Sequence, residues 1–225
     1  MLTLVLTRHG STPRSDPEQH LGQRLDVPLS DAGRAAAAAL GARLADIQFD
    51  RVISSPLLRA VQTAELAAPG QETERDPRLM EMDYGRWEGL TYAQIDEVDA
   101  AYRRRWEQDP ARLPCPGGES GDQVGARVTS FIDEMLDWAE GMDGEAVPGG
   151  SDPDRCVLVV GHSSTNRILL CVALGVNLRE YRRRFVQASG NLTVLRYDAQ
   201  HGPGARLLVA NDVSHIKGVV GETWG

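Results

Sequence analysis

Cysteine is scarce in this sequence, and its spacing excludes two kinds of structural element. The three cysteines, Cys115, Cys156 and Cys171, are odd in number, widely separated and form no C-x-x-C pair. This pattern argues against both a disulfide framework and a zinc knuckle. Reduced thiols are typical of the cytosol, so we expect a cytoplasmic protein with no bound metal.

Long apolar runs are absent as well. No stretch approaches the roughly 20 apolar residues that a membrane-spanning helix needs. The first predicted strand begins at residue 2, which leaves no room for the charged segment and cleavage site of a secretion signal. We therefore expect neither a membrane partner nor export.

Lysine is almost missing, since Lys217 is the one lysine among 24 basic residues. The formal net charge of -8 argues against a general binder of nucleic acid or of membrane surfaces, although it permits a local cationic pocket. At 225 residues the chain can bury a large core, and we expect a single domain over residues 1–225.

Two predicted strands end at a histidine. The first apolar run of the chain ends at Arg8 and His9, and a second run, 156–160, is followed by a glycine and His162. Such runs are typical of strands buried on both faces, and ligands bind where the carboxyl ends of these strands finish. A neutral imidazole can be a nucleophile and a guanidinium can bind phosphate, so these residues are candidates for a site.

Two further polar residues have unusual surroundings. Arg59 lies in the first turn of a predicted helix, where the helix dipole disfavours a cation unless an anion is near. Glu81 lies between two methionines, which indicates a partly desolvated carboxyl suited to general acid catalysis. Simpler roles also fit, because Arg59 could extend into solvent and Glu81 could pair with an arginine. The triplet Arg103-Arg104-Arg105 is either a solvated helix face or a contact for a distal anionic group.

Strand and helix patterns alternate along the chain. A final pair of strands, 192–197 and 206–210, with a turn at 201–204, predicts a hairpin at a sheet edge. The predicted fold class is a three-layer α/β/α domain with a mostly parallel central sheet and one antiparallel edge strand. Residues 82–120 are expected to form a helical cover over the site, and 141–154 a mobile surface loop. Helices are predicted at 31–46, 57–68, after Thr91, at 102–109, 124–140 and 163–174.

The segments that carry chemistry form one ordered set along the chain. They are Arg8-His9-Gly10, Arg59 after Ser54-Ser55-Pro56, Glu81 before Gly85-Arg86-Trp87-Glu88-Gly89, and Gly161-His162. Together with the stretches 25–33 and 116–120, this set resembles the histidine phosphatase superfamily, also called phosphoglycerate-mutase-like. The resemblance covers roughly residues 2–215.

The resemblance implies a role for each residue of the set. His9 would be the nucleophile that becomes phosphohistidine, and Glu81 would be the proton donor. Two guanidiniums and an imidazolium would neutralise the phosphoryl oxygens without a metal or another cofactor. The catalytic set would be Arg8, His9, Arg59, Glu81 and His162, and the substrate-binding set Arg8, Ser15, Gln23, Arg59, His162 and Ser163.

Two positions depart from the family pattern. Many members carry Glu two residues after the nucleophile, and many phosphatases carry Asn six residues after it. Ser11 and Ser15 occupy these positions here. A serine hydroxyl can still bind phosphate with a shorter reach, so the departures bear on substrate preference.

These expectations define a metal-independent phosphomonoesterase that hydrolyses a small phosphorylated metabolite and works as a monomer or homodimer. The main competing hypothesis is a cofactor-dependent phosphoglycerate mutase. Only 38 residues separate Glu81 from Ser120, and such a short cover favours the phosphatase because it leaves the site open to water. The pattern also permits a metal enzyme using His9, His162 and Glu81, a serine hydrolase using Ser163, and a non-catalytic sensor of a phosphate ligand.

Overall fold

A six-stranded sheet forms the centre of the protein. A computed structural model describes residues 1–141, 154–198, 202 and 204–216. β1 to β4 pair in parallel, whereas β5 runs antiparallel to both β1 and β6. The predicted mostly parallel sheet and its edge hairpin are confirmed. The strands are β1 (Leu2–Arg8), β2 (Arg51–Ser54), β3 (Thr73–Arg75), β4 (Arg155–Gly161), β5 (Leu192–Tyr197) and β6 (Ala205–Asp212), in the order β3-β2-β4-β1-β5-β6.

Helices cover both faces of the sheet and complete three layers. Those of the described chain are α1 (Asp31–Leu44), α2 (Leu58–Ala67), α3 (Tyr92–Gln108), α4 (Gly121–Gly141), α5 (Ser163–Leu174) and α6 (Tyr181–Arg184). α1 and α2 pack on one face, and α4 and α5 pack on the other. Ile95 and Trp106 of α3 join the core of the α4–α5 side. In the described residues no helix has the length and apolar character that crossing a bilayer requires.

Side-chain alternation along the central strands separates the two cores. Leu2, Leu4 and Leu6 of β1 belong to the core beneath α4 and α5, whereas Val5 belongs to the core beneath α1 and α2. β4 alternates in the same way. Successive strand residues point to opposite faces, so an unbroken apolar run serves both layers.

Polar side chains define several helix starts. Ser30 accepts a hydrogen bond from the Gly33 amide at 3.0 Å and caps α1, and Thr91 with Gln94 forms a capping box at α3. The two helices predicted around 91–109 are both present: they follow each other within α3 and are separated by a kink of non-helical backbone at Asp99. The Asp99 carboxylate accepts a hydrogen bond from the Trp87 indole at 2.9 Å, so a tertiary contact accompanies the break.

The carboxyl ends of β1 and β4 bring the two predicted histidines together. Arg8 is paired with Gly161 in the parallel register, so His9 and His162 follow at one edge of the sheet. His162 is also the residue before α5. Most of the loop predicted at 141–154, and residues 201 and 203 of the predicted turn, lie outside the described residues.

Candidate active site

His9 and His162 form the centre of the candidate site. Their ring centroids are 5.0 Å apart. Nδ1 of His9 lies 2.7 Å from the Gly10 carbonyl oxygen, and because a carbonyl can only accept, Nδ1 carries the proton. The Nε2 atom of His9 therefore has a free lone pair. Nε2 of His162 lies 2.8 Å from the Ser55 hydroxyl.

Both imidazoles are held in the neutral form. Burial lowers the pKa of His9 well below its ordinary value of 6.5, and the charges of Arg59 and Arg8 lower it further. Burial likewise lowers the pKa of His162, with Arg59 and His9 adding to the effect. At neutral pH the site thus offers an unprotonated imidazole at His9, the form that can attack phosphorus. Burial disfavours the imidazolium that was expected to help neutralise the phosphoryl oxygens at His162.

Arg59 is buried completely, with 0% of its surface exposed. Its terminal nitrogens donate to the carbonyl oxygens of Leu21, Gly22 and Leu25 at 2.8–3.2 Å. The carboxylate of Asp26 lies 4.0 Å away and also accepts a hydrogen bond from the first amide of α2. These acceptors, all from one loop, explain how a cation is stabilised in the first turn of a helix.

Glu81 is fixed at the N-terminus of α5. One carboxylate oxygen accepts hydrogen bonds from the Met82 and Thr165 amides, at 2.9 and 3.1 Å, and from the Thr165 hydroxyl at 3.2 Å. The other oxygen accepts from the Ser164 amide at 3.1 Å. Free amides at a helix N-terminus bind anions, and here they set the orientation of the carboxyl group. The same helix thus follows His162 and holds Glu81.

A cavity of about 260 Å³ opens at this edge of the sheet. It brings together five of the predicted site residues: Arg8, His9, Ser15, Glu81 and Ser163. Arg8 donates to the Gln187 carbonyl oxygen at 2.9 Å and lies 3.6 Å from the Glu18 carboxylate. The Ser15 hydroxyl accepts a hydrogen bond from the Thr12 amide at 2.9 Å.

Three predicted site residues do not line this cavity. Arg59 and His162 are wholly buried, but the Arg59 charge acts on His9 and the His162 ring centroid lies 5.0 Å from that of His9. Gln23 was expected to bind substrate, but its amide donates to the Glu81 carbonyl oxygen at 2.8 Å and to the Glu119 carboxylate at 3.0 Å. Gln23 therefore supports the segment that carries Glu81.

Sequence reasoning missed several residues of the cavity wall. Arg167 lies four residues after Ser163, so helical spacing along α5 could have identified it. Tyr84, Tyr92 and Arg182 also line the cavity, and the tyrosines come from the expected helical cover. Nothing in the run of arginines at 182–184 distinguishes the one that faces the cavity.

The basic triplet 103–105 lies elsewhere. Arg103 forms ion pairs with Asp96 and Glu107 on its own helix. Arg105 borders a separate surface groove with Arg112 and Arg179. The ion pairs of Arg103 favour the alternative of a solvated helix face. The arginines that line the cavity are Arg8, Arg14, Arg167 and Arg182.

A neutral histidine at the carboxyl edge of a mostly parallel sheet, near the buried Arg59 and the half-buried Arg8, is typical of an α/β protein of the phosphoglycerate-mutase type. The chain belongs to the histidine phosphatase superfamily, branch 1, whose sequence profile matches residues 4–211. The expected membership is thus confirmed, and it supports a hydrolase.

Several relatives carry names that indicate phosphate chemistry. Phosphoserine phosphatase 1 of Hydrogenobacter thermophilus is 31% identical over 185 residues, which are 80% of each chain. A probable phosphoglycerate mutase of Cronobacter sakazakii is 29% identical and covers 96% of this chain and 95% of its own. A bifunctional protein of Mycobacterium tuberculosis is 38% identical over 76% of this chain, which spans only 44% of the length of that relative.

A solved structure agrees with the family assignment. The mycobacterial glucosyl-3-phosphoglycerate phosphatase, solved with VO3, superposes with a TM-score of 0.78 and 31% sequence identity. The match covers 93% of this chain and 98% of the solved chain. The shared fold at this identity agrees with membership of the same superfamily.

Proposed function

We propose that this protein is a phosphomonoesterase that hydrolyses a small phosphorylated metabolite through a covalent phosphohistidine at His9. The observation that carries the proposal is the state of His9. Its Nδ1 proton is bound by the Gly10 carbonyl, its pKa is lowered by burial and then by Arg59 and Arg8, and its ring lines the cavity. A neutral imidazole with a free Nε2 lone pair is a competent nucleophile toward phosphorus.

In the first step, Nε2 of His9 forms a bond to phosphorus while the bond from phosphorus to the ester oxygen breaks. Arg8 and Arg59 neutralise charge on the equatorial oxygens, and Glu81 gives its proton to the departing alkoxide. In the second step, water attacks phosphorus and passes a proton to Glu81, and the phosphorus–nitrogen bond breaks. Inorganic phosphate and an alcohol leave, and both residues return to their initial states.

His162 has a donor available for this reaction. The Ser55 hydroxyl accepts from the Leu57 amide at 3.3 Å and can donate to Nε2 of His162, which leaves the proton of the ring on Nδ1. Within the described residues this buried Nδ1 has no hydrogen-bond partner. We assign it as a donor to a phosphoryl oxygen, whose negative charge would in turn raise the pKa of His162.

Metal independence is part of the proposal. Arg8 and Arg59 already supply positive charge around His9, and their repulsion opposes a cation at the same place. Both oxygens of Glu81 accept protein hydrogen bonds, and Nε2 of His162 contacts Ser55. These contacts weigh against a metal site built on His9, His162 and Glu81.

The cavity and the cover favour hydrolysis of a small ester. A volume of about 260 Å³ is near the lower limit for small-molecule sites. Between Tyr84 and Ser120 the cover consists of a short 3-10 turn, α3 and a loop, which supports access of water to phosphohistidine. A cytoplasmic location, a monomeric or homodimeric state and a single domain over residues 1–225 stay predictions.

A mutase is the second candidate, favoured by the name of the Cronobacter sakazakii relative. It would use the same phosphohistidine and differ in the acceptor, a second hydroxyl group instead of water. The non-catalytic sensor is disfavoured because His9 has the ionisation state that a nucleophile needs and that phosphate binding alone does not require.

Trapping of the intermediate tests the proposal. Rapid acid-free quenching after mixing with 32P-labelled substrate should give a base-stable, acid-labile label on His9. His9→Ala should lose the label and nearly all turnover. The matched control is His20→Ala, which removes another imidazole of the same cavity and should keep the label on His9. Label on Ser163, or turnover without any label, would contradict the mechanism.

A further inference from the structure

Arg167 is a cation without a partner on the wall of the cavity. Within the described part of the chain it has neither a hydrogen bond nor an ion pair, and its Nε atom is buried. Burial lowers its pKa, the charges of Arg8 and Arg182 lower it further, and Tyr84 and Glu81 oppose this shift. Arg167 is half-buried and has no anion bonded to it, so an anionic ligand in the cavity would supply the missing partner.

The other arginines of the cavity are already engaged. Arg8 donates to a backbone carbonyl and lies near Glu18, and Arg14 donates to the Gln19 side chain at 2.7 Å. Arg182 donates to the Tyr92 hydroxyl, and its guanidinium lies over the Trp106 ring, 4.7 Å from the centroid. These contacts orient Arg182 but leave its charge without a carboxylate partner among the described residues.

Arg8, Arg167 and Arg182 line the same cavity as His9. The charge of Arg8 acts on both His9 and Arg167, and the charge of Arg182 acts on Arg167. Because the cavity measures about 260 Å³, an anion at His9 and an anion at Arg167 must belong to one small molecule or to two very small ones.

We propose that Arg167 and Arg182 form a subsite for a second anionic group of the substrate, a carboxylate or a second phosphate, a few bonds away from the scissile phosphoester. This inference rests on the proposed phosphatase function and narrows it to phosphomonoesters with a negatively charged tail. A planar guanidinium can bind either group through two parallel hydrogen bonds.

Two matched substrate pairs test the subsite in the unmodified protein. 3-Phosphoglycerate and glycerol 3-phosphate differ only in a carboxylate that replaces a hydroxymethyl group. Propane-1,3-diol bisphosphate and its monophosphate differ in a second phosphate. We expect kcat/KM to favour the charged member of at least one pair by about tenfold or more, as a charge-assisted hydrogen bond provides. The first pair reports a carboxylate subsite and the second a phosphate subsite.

Variants then connect the preference to Arg167. Arg167→Met should reduce the charged-to-neutral ratio of kcat/KM nearly to one, and Arg167→Lys should keep part of it. The matched control is Arg104→Met, which removes an exposed arginine far from the cavity wall and should keep the full ratio. Absence of a preference in both pairs, or a preference that survives Arg167→Met, would overturn the inference.

Hydrolysis of 4-nitrophenyl phosphate separates this inference from the function on which it rests. If the wild-type protein hydrolyses neither 4-nitrophenyl phosphate nor any member of the two pairs, the proposed phosphatase activity is refuted. Turnover of the aryl ester without any preference for a charged tail would refute the subsite alone. The wild-type ratios need no variant, so poor folding of Arg167→Met would not remove the test.

Discussion

Replacement of Glu81 by Gln should separate proton donation from phosphoryl transfer. The change removes the acid and also disturbs the contacts at the N-terminus of α5. Three backbone amides, those of Met82, Ser164 and Thr165, point at the two carboxylate oxygens. A glutamine side chain has one oxygen, so its NH2 group must face at least one of these N–H groups.

The structural cost of this substitution can be given as an order of magnitude. An unsatisfied buried donor costs about 1–3 kcal/mol. For a protein of this size each kcal/mol lowers Tm by about 2–4 °C. We therefore expect Glu81→Gln to melt several degrees below the wild type while it stays folded at 25 °C, which thermal unfolding followed by circular dichroism would measure.

The catalytic effect should depend on the leaving group. An alkoxide needs a proton as it departs, and general acid catalysis contributes about 10²–10⁴-fold to such steps. We expect kcat/KM of Glu81→Gln to fall by that factor on an alkyl phosphate and by less than about tenfold on 4-nitrophenyl phosphate, because nitrophenolate leaves without protonation. An equal fall on both esters would remove Glu81 from the acid role.

A matched variant controls for the structural disturbance. Thr165→Val removes the hydroxyl that lies 2.7 Å from the Met80 carbonyl oxygen and 3.2 Å from Glu81, but it keeps the carboxyl group. We expect a loss of about 1 kcal/mol of stability and the same relative fall in rate on both esters. If Thr165→Val shows a leaving-group effect as large as that of Glu81→Gln, structural disturbance around Glu81 is sufficient to explain the effect.

Three further predictions use simpler measurements. Activity should survive EDTA and should be inhibited by vanadate, because arginines supply the positive charge; activity lost in EDTA and restored by one divalent ion would contradict this. His9 and His162 have pKa values below 6.5 in the folded protein, so the unfolded chain binds more protons as the pH falls below 6.5. We therefore expect Tm to stay level above pH 6.5 and to fall below that pH, with a shallower fall in His9→Gln. A Tm that does not change with pH in this range would contradict the prediction. Supplied with 3-phosphoglycerate and its bisphosphate primer, the protein should release phosphate faster than it forms 2-phosphoglycerate, whereas rapid isomer formation would identify a mutase.

The elements with strong local signals could be predicted from the sequence. Helix α5 and strand β5 have the predicted bounds, because local periodicity and flanking turn residues mark their ends. The meeting of His9 and His162 follows from parallel strands whose carboxyl ends share one edge.

Features that depend on distant contacts could not be predicted in this way. Strand β3 is three polar residues long and has no apolar pattern. The role of Gln23 depends on Glu119, which is 96 residues away in the chain. Arg167 has helical spacing from Ser163, but only the structure shows that it lines the cavity and that its buried Nε atom has no hydrogen-bond partner among the described residues. Ionisation states also depend on tertiary burial, as the neutral His162 illustrates.

The arginines of the cavity have a kinetic consequence for an acidic protein. A formal net charge of -8 repels anions from most of the surface, whereas Arg8, Arg167 and Arg182 attract them to the cavity. Under the proposed mechanism, released orthophosphate carries the same charged group as the ester and binds the same phosphoryl-binding cations. Orthophosphate is then a competitive inhibitor, and its inhibition weakens with added salt. Turnover would then slow as inorganic phosphate accumulates, and the enzyme would respond to the phosphate status of its surroundings without a separate regulatory site.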